Sequence, residues 1–249
     1  MQGSDSVYRR LIRLHDADEV SSVVAARLLA RLIELQSTQP LVHVCLTGGD
    51  TANAMYEKLA DLAHGSDLDA SKLQLWWGDE RFVPATDPAR NSLQAITRLA
   101  RTVSIKSADT HMMAAADGRK DPHESAAEYE AELGNTTFDI TLLGIGGDGH
   151  VASLFPNHPS SEPTTRAVIG VTDSPKAPPE RITLTAPSLN RSHEVWFLAT
   201  GASKAEAVAA TLEGDPSLPG SAIKGDVATL WFLDRKAAAE LPAQYSCPF

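Results

Sequence analysis

The chain has 249 residues, 43% of them hydrophobic, which is enough to bury one large α/β core. Its formal net charge of -10 argues against a broad surface for nucleic acid or anionic membrane, so an anionic ligand must be met by a local cluster of cations. The first residues, MQGSDSVYRR, lack the apolar core expected of a secretory signal, no uncharged run is long enough to span a bilayer, and Cys45 and Cys247 suggest neither a disulfide framework nor a zinc knuckle.

In chain order, residues 1–6 are polar and are expected to be flexible. Tyr8 to Leu14 reads as a first strand, and the spacing of Val20, Val23, Val24, Leu28 and Ile33 predicts a long helix over Ala17 to Gln36. Leu41 to Leu46 is a short β-rich run ended by Thr47, Gly48 and Gly49. Helical spacing resumes at Ala54, Met55, Leu59 and Leu62, with Asp50 as the N-cap. Leu73 to Trp77 is the next strand, followed by the charged loop GDERFVPATDP and a helix over Asn91 to Ala100. His111 to Ala114 reads as a short strand and Glu124 to Leu133 as a helix. Phe138 to Ile145 is almost unbroken in its apolarity, the pattern of a strand covered on both faces of a parallel sheet. Two Pro-rich loops follow, Phe155 to Pro163 and Asp173 to Glu180, with a strand between them at Ala167 to Val171. Arg181 to Thr185 and Val195 to Ala199 read as strands, Ser203 to Leu212 as a helix, Leu230 to Leu233 as the last strand and Arg235 to Leu241 as a closing helix. This alternation implies a Rossmann-like α/β fold in a single domain over 1–249. Its sheet is mostly parallel, joined by right-handed crossovers and flanked by helices on both faces.

Three places could carry chemistry. The turn Thr47-Gly48-Gly49-Asp50-Thr51 joins a strand to a helix, where backbone N–H groups and the helix dipole form an anion site, although an ordinary βα turn has the same look. It matches neither a dinucleotide nor a P-loop fingerprint. Arg81 follows a strand and offers a planar fork suited to phosphate or carboxylate, in a loop that could equally be solvated, with Asp79 and Glu80 holding its orientation. Past Phe138 to Ile145 the chain breaks into Gly144, Gly146, Gly147 and Gly149, and set among them are Asp148 and His150. An acid and an imidazole at the carboxyl end of a buried strand stand where open α/β sheets place their ligands.

GIGGDGHVASLFP, from Gly144 to Pro156, resembles the signature of the 6-phosphogluconolactonases, a family related to the glucosamine-6-phosphate deaminases. The resemblance extends in order through LTGGDT (46–51), WWGDERFVP (76–84), ERITLT (180–185), GASKAEAV (201–208) and WFLDRKAA (231–238). It implies that the glycine turn at 47–51 holds a sugar phosphate, and that Arg81, Arg181 and Lys204 contact that phosphate or the sugar acid. Lys204 would sit in the first turn of a helix capped by a Ser203–Glu206 box, where a bound anion relieves its conflict with the dipole. The family more often has a small or uncharged residue at the position of Asp50, so this carboxylate is expected to turn back as a cap.

The implied reaction is hydrolysis of a sugar-phosphate lactone without cofactor or metal, by a cytoplasmic monomer. His150 would activate water and Asp148 would set its tautomer or charge. Backbone N–H groups of the glycine turn, Gly147 among them, or a nearby arginine would stabilise the oxyanion. Two alternatives are a glucosamine-6-phosphate deaminase and a non-catalytic sugar-phosphate sensor. The deaminases usually continue into an acidic segment like F-N-E-P, where this chain has Ser153-Leu154-Phe155-Pro156. The sensor reading requires a DNA-binding segment ahead of Leu41, and that stretch is expected to be too short for one.

Overall fold

The computed structural model describes residues 8–245, so the expectations for residues 1–6 and for Cys247 lie outside the described residues. Ten strands and six α-helices follow one another as β1 (Tyr8–Leu14), α1 (Ala17–Gln36), β2 (Val42–Leu46), α2 (Asp50–Ala63), β3 (Leu73–Trp77), β4 (Asp79–Arg81), α3 (Asn91–Leu99) and β5 (Thr110–His111). The second half runs α4 (Pro122–Leu133), β6 (Phe138–Gly144), β7 (Val168–Val171), β8 (Arg181–Leu184), α5 (Ala186–Leu189), β9 (Ser192–Ala199), α6 (Ala205–Glu213) and β10 (Ala228–Asp234). Among the described residues no helix is long and apolar enough to cross a membrane.

Seven strands form the main sheet in the order β1-β10-β9-β6-β2-β3-β5, and every adjacent pair is parallel. Alternation along each strand assigns its side chains to two cores. Val42, Val44, Leu46, Leu75, Trp77, Trp196, Leu198 and Phe232 pack under α1, α2 and α3. Cys45, Trp76, Val195, Phe197, Trp231 and Leu233 face the opposite side, where α4, α6 and strands β7 and β8 cover them. Strand β6 is buried from Phe138 through Leu143, as its apolar run predicts for a central strand. The chain moves outward from β2 to β3 and β5, returns to lay β6 on the other side of β2, then moves outward through β9 and β10. The order therefore reverses between β2 and β6, and α/β sheets bind ligands beyond the carboxyl ends of strands at such a point.

Two features correct the sequence reading. The charged loop after β3 is partly a strand: β4 pairs antiparallel with β8, and β8 with β7, in a separate three-stranded sheet. Local periodicity names a strand but not its partner, so ERITLT gave no sign that it leaves the main sheet. The expected closing helix at Arg235–Leu241 is a run of turns. Its alanines favour helix, yet the stretch is too short to repay nucleation and Pro242 lacks the N–H to extend it.

Candidate active site

A cavity of about 440 Å³ opens beyond the carboxyl ends of β2, β6 and β9 and is closed on one side by β4 and β8. Its wall includes Thr47, Gly48, Gly49, Asp50 and Thr51 after β2, His150 after β6, and Lys204 after β9. Arg81 and Arg181 complete it from the small sheet. Of the residues expected from sequence, Gly147 and Asp148 lie outside this wall. A side chain at Gly147 would collide with the carbonyl of Ser203, and Asp148 stands behind His150.

Arg81 and Arg181 are direct cross-strand partners in the β4–β8 ladder. Like charges placed opposite one another destabilise a sheet, so this pairing calls for an anion between them or for strong anchoring. Arg181 has the anchoring. Its Nε donates to the carbonyl of Pro178 (2.8 Å) and its Nη2 to the carbonyls of Lys176 (3.0 Å) and Ala177 (3.1 Å). Burial, with Arg81 adding to it, pushes its guanidinium below the usual arginine range even though Asp79 and Glu80 oppose the shift. Arg81 donates from Nη1 to the carbonyl of Ala89, while its buried Nε has no protein partner among the described residues. The same holds for Oδ1 of Asn91, which also lines the cavity and is 2% exposed. Buried polar atoms in that condition are suited to a polar ligand.

Asp79 and Glu80 were expected to orient Arg81, and they have other tasks. Glu80 is fully buried and caps α3 from outside, accepting from the backbone N–H of Asn91 (2.7 Å) and Ser92 (2.9 Å) and from the Ser92 hydroxyl (2.6 Å). Its contact with Arg81 is through the backbone N–H (2.8 Å), not the guanidinium. Asp79 accepts from the hydroxyl of fully buried Ser153 at 2.7 Å.

Asp50 is not a cap either. Gly49 holds the N-cap position of α2 with φ 101°, a left-handed backbone that glycine adopts without strain, and no side chain caps the helix. Asp50 becomes the first residue of the helix, exposed in the cavity wall, where the helix dipole favours its charge. It faces Lys204 closely enough to oppose the lowering of the lysine's pKa, which burial and the neighbouring charge of Lys176 produce. The Ser203–Glu206 box does not form. A 3₁₀ turn over Ala202–Lys204 precedes α6, and Lys204 itself stands at the N-cap without a side-chain cap bond. The wall thus carries three cations, Arg81, Arg181 and Lys204, against the carboxylates Asp50 and Asp79, in a protein whose net charge is -10.

His150 Nδ1 lies 2.6 Å from Asp148 Oδ1, a separation that requires the proton between them, so Nδ1 carries it and Nε2 presents a lone pair. The ring packs against Phe155 with centroids 4.9 Å apart, and Gly146 is needed because an added Cβ there would lie 2.0 Å from Nδ1. Burial pushes the imidazole below its usual pKa, overriding Asp148, and Lys176 acts in the same direction. For Asp148 burial works upward, but the hydrogen bond and charge of His150, with Lys176 behind them, hold its carboxyl well below the usual range. Sequence reasoning missed Lys176, Asn91 and Thr200. Lys176 lies in a Pro-rich loop adjacent to ERITLT, and only the fold carries it to Asp148. Thr200, whose hydroxyl meets that of Thr51 at 2.8 Å, ties the loop after β9 to the start of α2.

Residues 15–231 match the model of the family described as glucosamine-6-phosphate isomerases/6-phosphogluconolactonase. The chain belongs to that family. A 6-phosphogluconolactonase of Streptomyces coelicolor is 42% identical over 247 residues, covering 94% of this chain and 95% of its own. A crystal structure of 6-phosphogluconolactonase from Thermotoga maritima superposes with a TM-score of 0.81 at 27% identity, covering 91% of this chain and 99% of that one. A monomeric glucosamine-6-phosphate deaminase shares the fold, with a TM-score of 0.77 at 24% identity and coverage of 93% and 99%. This family member is therefore an enzyme with the single-domain, Rossmann-like architecture of its relatives.

Proposed function

We propose that this enzyme hydrolyses 6-phospho-D-glucono-1,5-lactone to 6-phospho-D-gluconate, the lactonase step of the oxidative pentose phosphate pathway, acting as a cytoplasmic monomer. The observation that carries the reading is that an imidazole with a free Nε2 shares one cavity with a cross-strand arginine pair and Lys204. The cations and the N-terminus of α2 hold the phosphate, which restricts the sugar and directs its C1 to His150. Nε2 takes a proton from water as the water oxygen bonds to C1, and the carbonyl electrons move to the exocyclic oxygen. Collapse of that oxyanion breaks the bond between C1 and the ring oxygen, and the imidazolium returns its proton to the departing oxygen. Asp148 steadies the imidazolium meanwhile, and backbone N–H groups of the glycine turn after β6 face the developing charge.

The deaminase reading is weaker, since the segment where those enzymes carry an acidic residue reads Ser153-Leu154-Phe155-Pro156 here, with buried Phe155 against the His150 ring at the acidic position. Freshly prepared lactone separates the two. The lactonase reading expects acid release above the spontaneous rate and no ammonia from glucosamine 6-phosphate, and the reverse pattern would overturn it.

Two further results are expected. Arg81→Ala and Lys204→Ala each remove a charge-assisted contact to the phosphate, about 1.5–3 kcal/mol, which raises KM or the dissociation constant of 6-phosphogluconate roughly tenfold or more. Titration calorimetry with 6-phosphogluconate measures this. The rate depends on neutral His150, whose pKa is lowered from 6.5, so kcat/KM should fall with acidity only at a midpoint below 6.5. A pH profile corrected for spontaneous hydrolysis checks the sign, and a midpoint above 6.5 would contradict it.

A further inference from the structure

The loop between β7 and β8 does more than close the cavity. Its carbonyls at 176, 177 and 178 are gathered by the guanidinium of Arg181, and Ser174 braces it by accepting from the Lys176 N–H (3.2 Å) and donating to the Lys176 carbonyl (2.9 Å). This bracing sets the Lys176 ammonium 3.0 Å from Asp148 Oδ1 and 3.1 Å from His150 Nδ1. Oδ1 therefore accepts from two donors at once, the imidazole and the ammonium. Since Nδ1 already gives its proton to Asp148, the ammonium has no lone pair to meet there and acts on the ring through charge alone.

We propose that Lys176 is a positioning residue for the His150 base: held on Asp148 beside Nδ1, its ammonium keeps the resting imidazole neutral and makes the imidazolium readier to release its proton. Without it, burial alone opposes the pull of Asp148, and a carboxylate beside an imidazole favours the charged form that cannot take a proton from water. With it, much of that carboxylate's field is balanced before substrate arrives. Once Nε2 has accepted a proton, two cations share one carboxylate, and the repulsion favours return of the proton to the leaving oxygen. The other groups acting on this pair are few. Asp79 adds a negative charge from β4, the Phe155 ring covers one face of the imidazole, and Lys204 lies near enough to Lys176 for the Lys176 charge to disfavour its own. Arg181, which lines the cavity, couples the anion site to this device through the carbonyl of Lys176.

The inference rests on reading His150 as the base, and its test is chosen to fail separately from that reading. The full-length protein is compared with Lys176→Gln and Lys176→Arg, following the His150 imidazole by NMR titration and, in parallel, the pH dependence of kcat/KM. In Lys176→Gln both midpoints are expected to rise by about one pH unit, which leaves the rate about tenfold lower at a pH below both midpoints. Lys176→Arg keeps the charge and is expected to stay near the parent protein. An unmoved midpoint in Lys176→Gln overturns the inference, including the case in which that variant is slower by one factor at every pH, as a merely structural lysine would be. A Lys176→Arg midpoint displaced as far as that of Lys176→Gln overturns it as well. If the lactone proves not to be the substrate, the NMR titration still decides whether Lys176 sets the state of the imidazole.

Discussion

His150→Ala is expected to lower kcat by about 10²- to 10⁴-fold while leaving the affinity for 6-phosphogluconate close to that of the parent protein. The two halves of this result follow from the division of the cavity wall. Loss of the imidazole removes the group whose free nitrogen is placed to take a proton, whereas Arg81, Arg181 and Lys204 are carried by other elements. Removal of the ring also leaves Asp148 paired with Lys176 alone, so the local carboxylate is not orphaned and the fold should tolerate the change. Steady-state rates with fresh lactone and calorimetry with the product measure the two halves. Turnover preserved in His150→Ala would mean that another group is the base. Loss of both rate and binding would mean that the ring holds the sugar rather than activating water.

Glu80→Ala is expected to destabilise the protein by about 3–5 kcal/mol, the cost of leaving a buried charge network without one member. Glu80 is 0% exposed and lies 3.6 Å from the Arg90 guanidinium, itself 4% exposed, while satisfying the first N–H groups of α3, whose N-cap residue supplies no side-chain cap. Deleting it leaves the buried Arg90 charge uncompensated, although the carbonyls of Met113 and Ala114 still accept from it, and strands two helix N–H groups. The loss reaches the site as well, because Arg81 and Asn91, both in the cavity wall, take their backbone positions from bonds to the same carboxylate. Urea denaturation should show the lower stability and product titration a weaker complex. A change below about 1 kcal/mol, the range of an exposed pair, would contradict the assigned role.

Much of this was legible in the sequence. The apolar run from Phe138 announces a strand buried on both faces, and the glycines after it mark a turn of unusual backbone, so β6 and His150 could be placed together from residues alone. Helices α1 and α2 declared themselves by spacing. What stayed hidden depended on contacts between distant segments. Strands β4 and β8 are three and four residues long with mixed polarity, so nothing local tells that they pair with each other and bring Arg81 opposite Arg181. The cap expected at Asp50 failed because Gly49, free to take positive φ, ends the preceding turn one residue earlier. Lys176 looked like a loop lysine, since its approach to Asp148 is fixed by a guanidinium that follows it in the chain and by a glycine turn far before it.

A crystal structure with 6-phosphogluconate bound tests the whole arrangement most directly. The phosphate is expected between Arg81, Arg181 and Lys204 at the start of α2, and the C1 carboxylate within about 2.6–3.2 Å of His150 Nε2 or one water away. A product lying with its phosphate on His150, or with C1 beyond the reach of any water that Nε2 could hold, would contradict it.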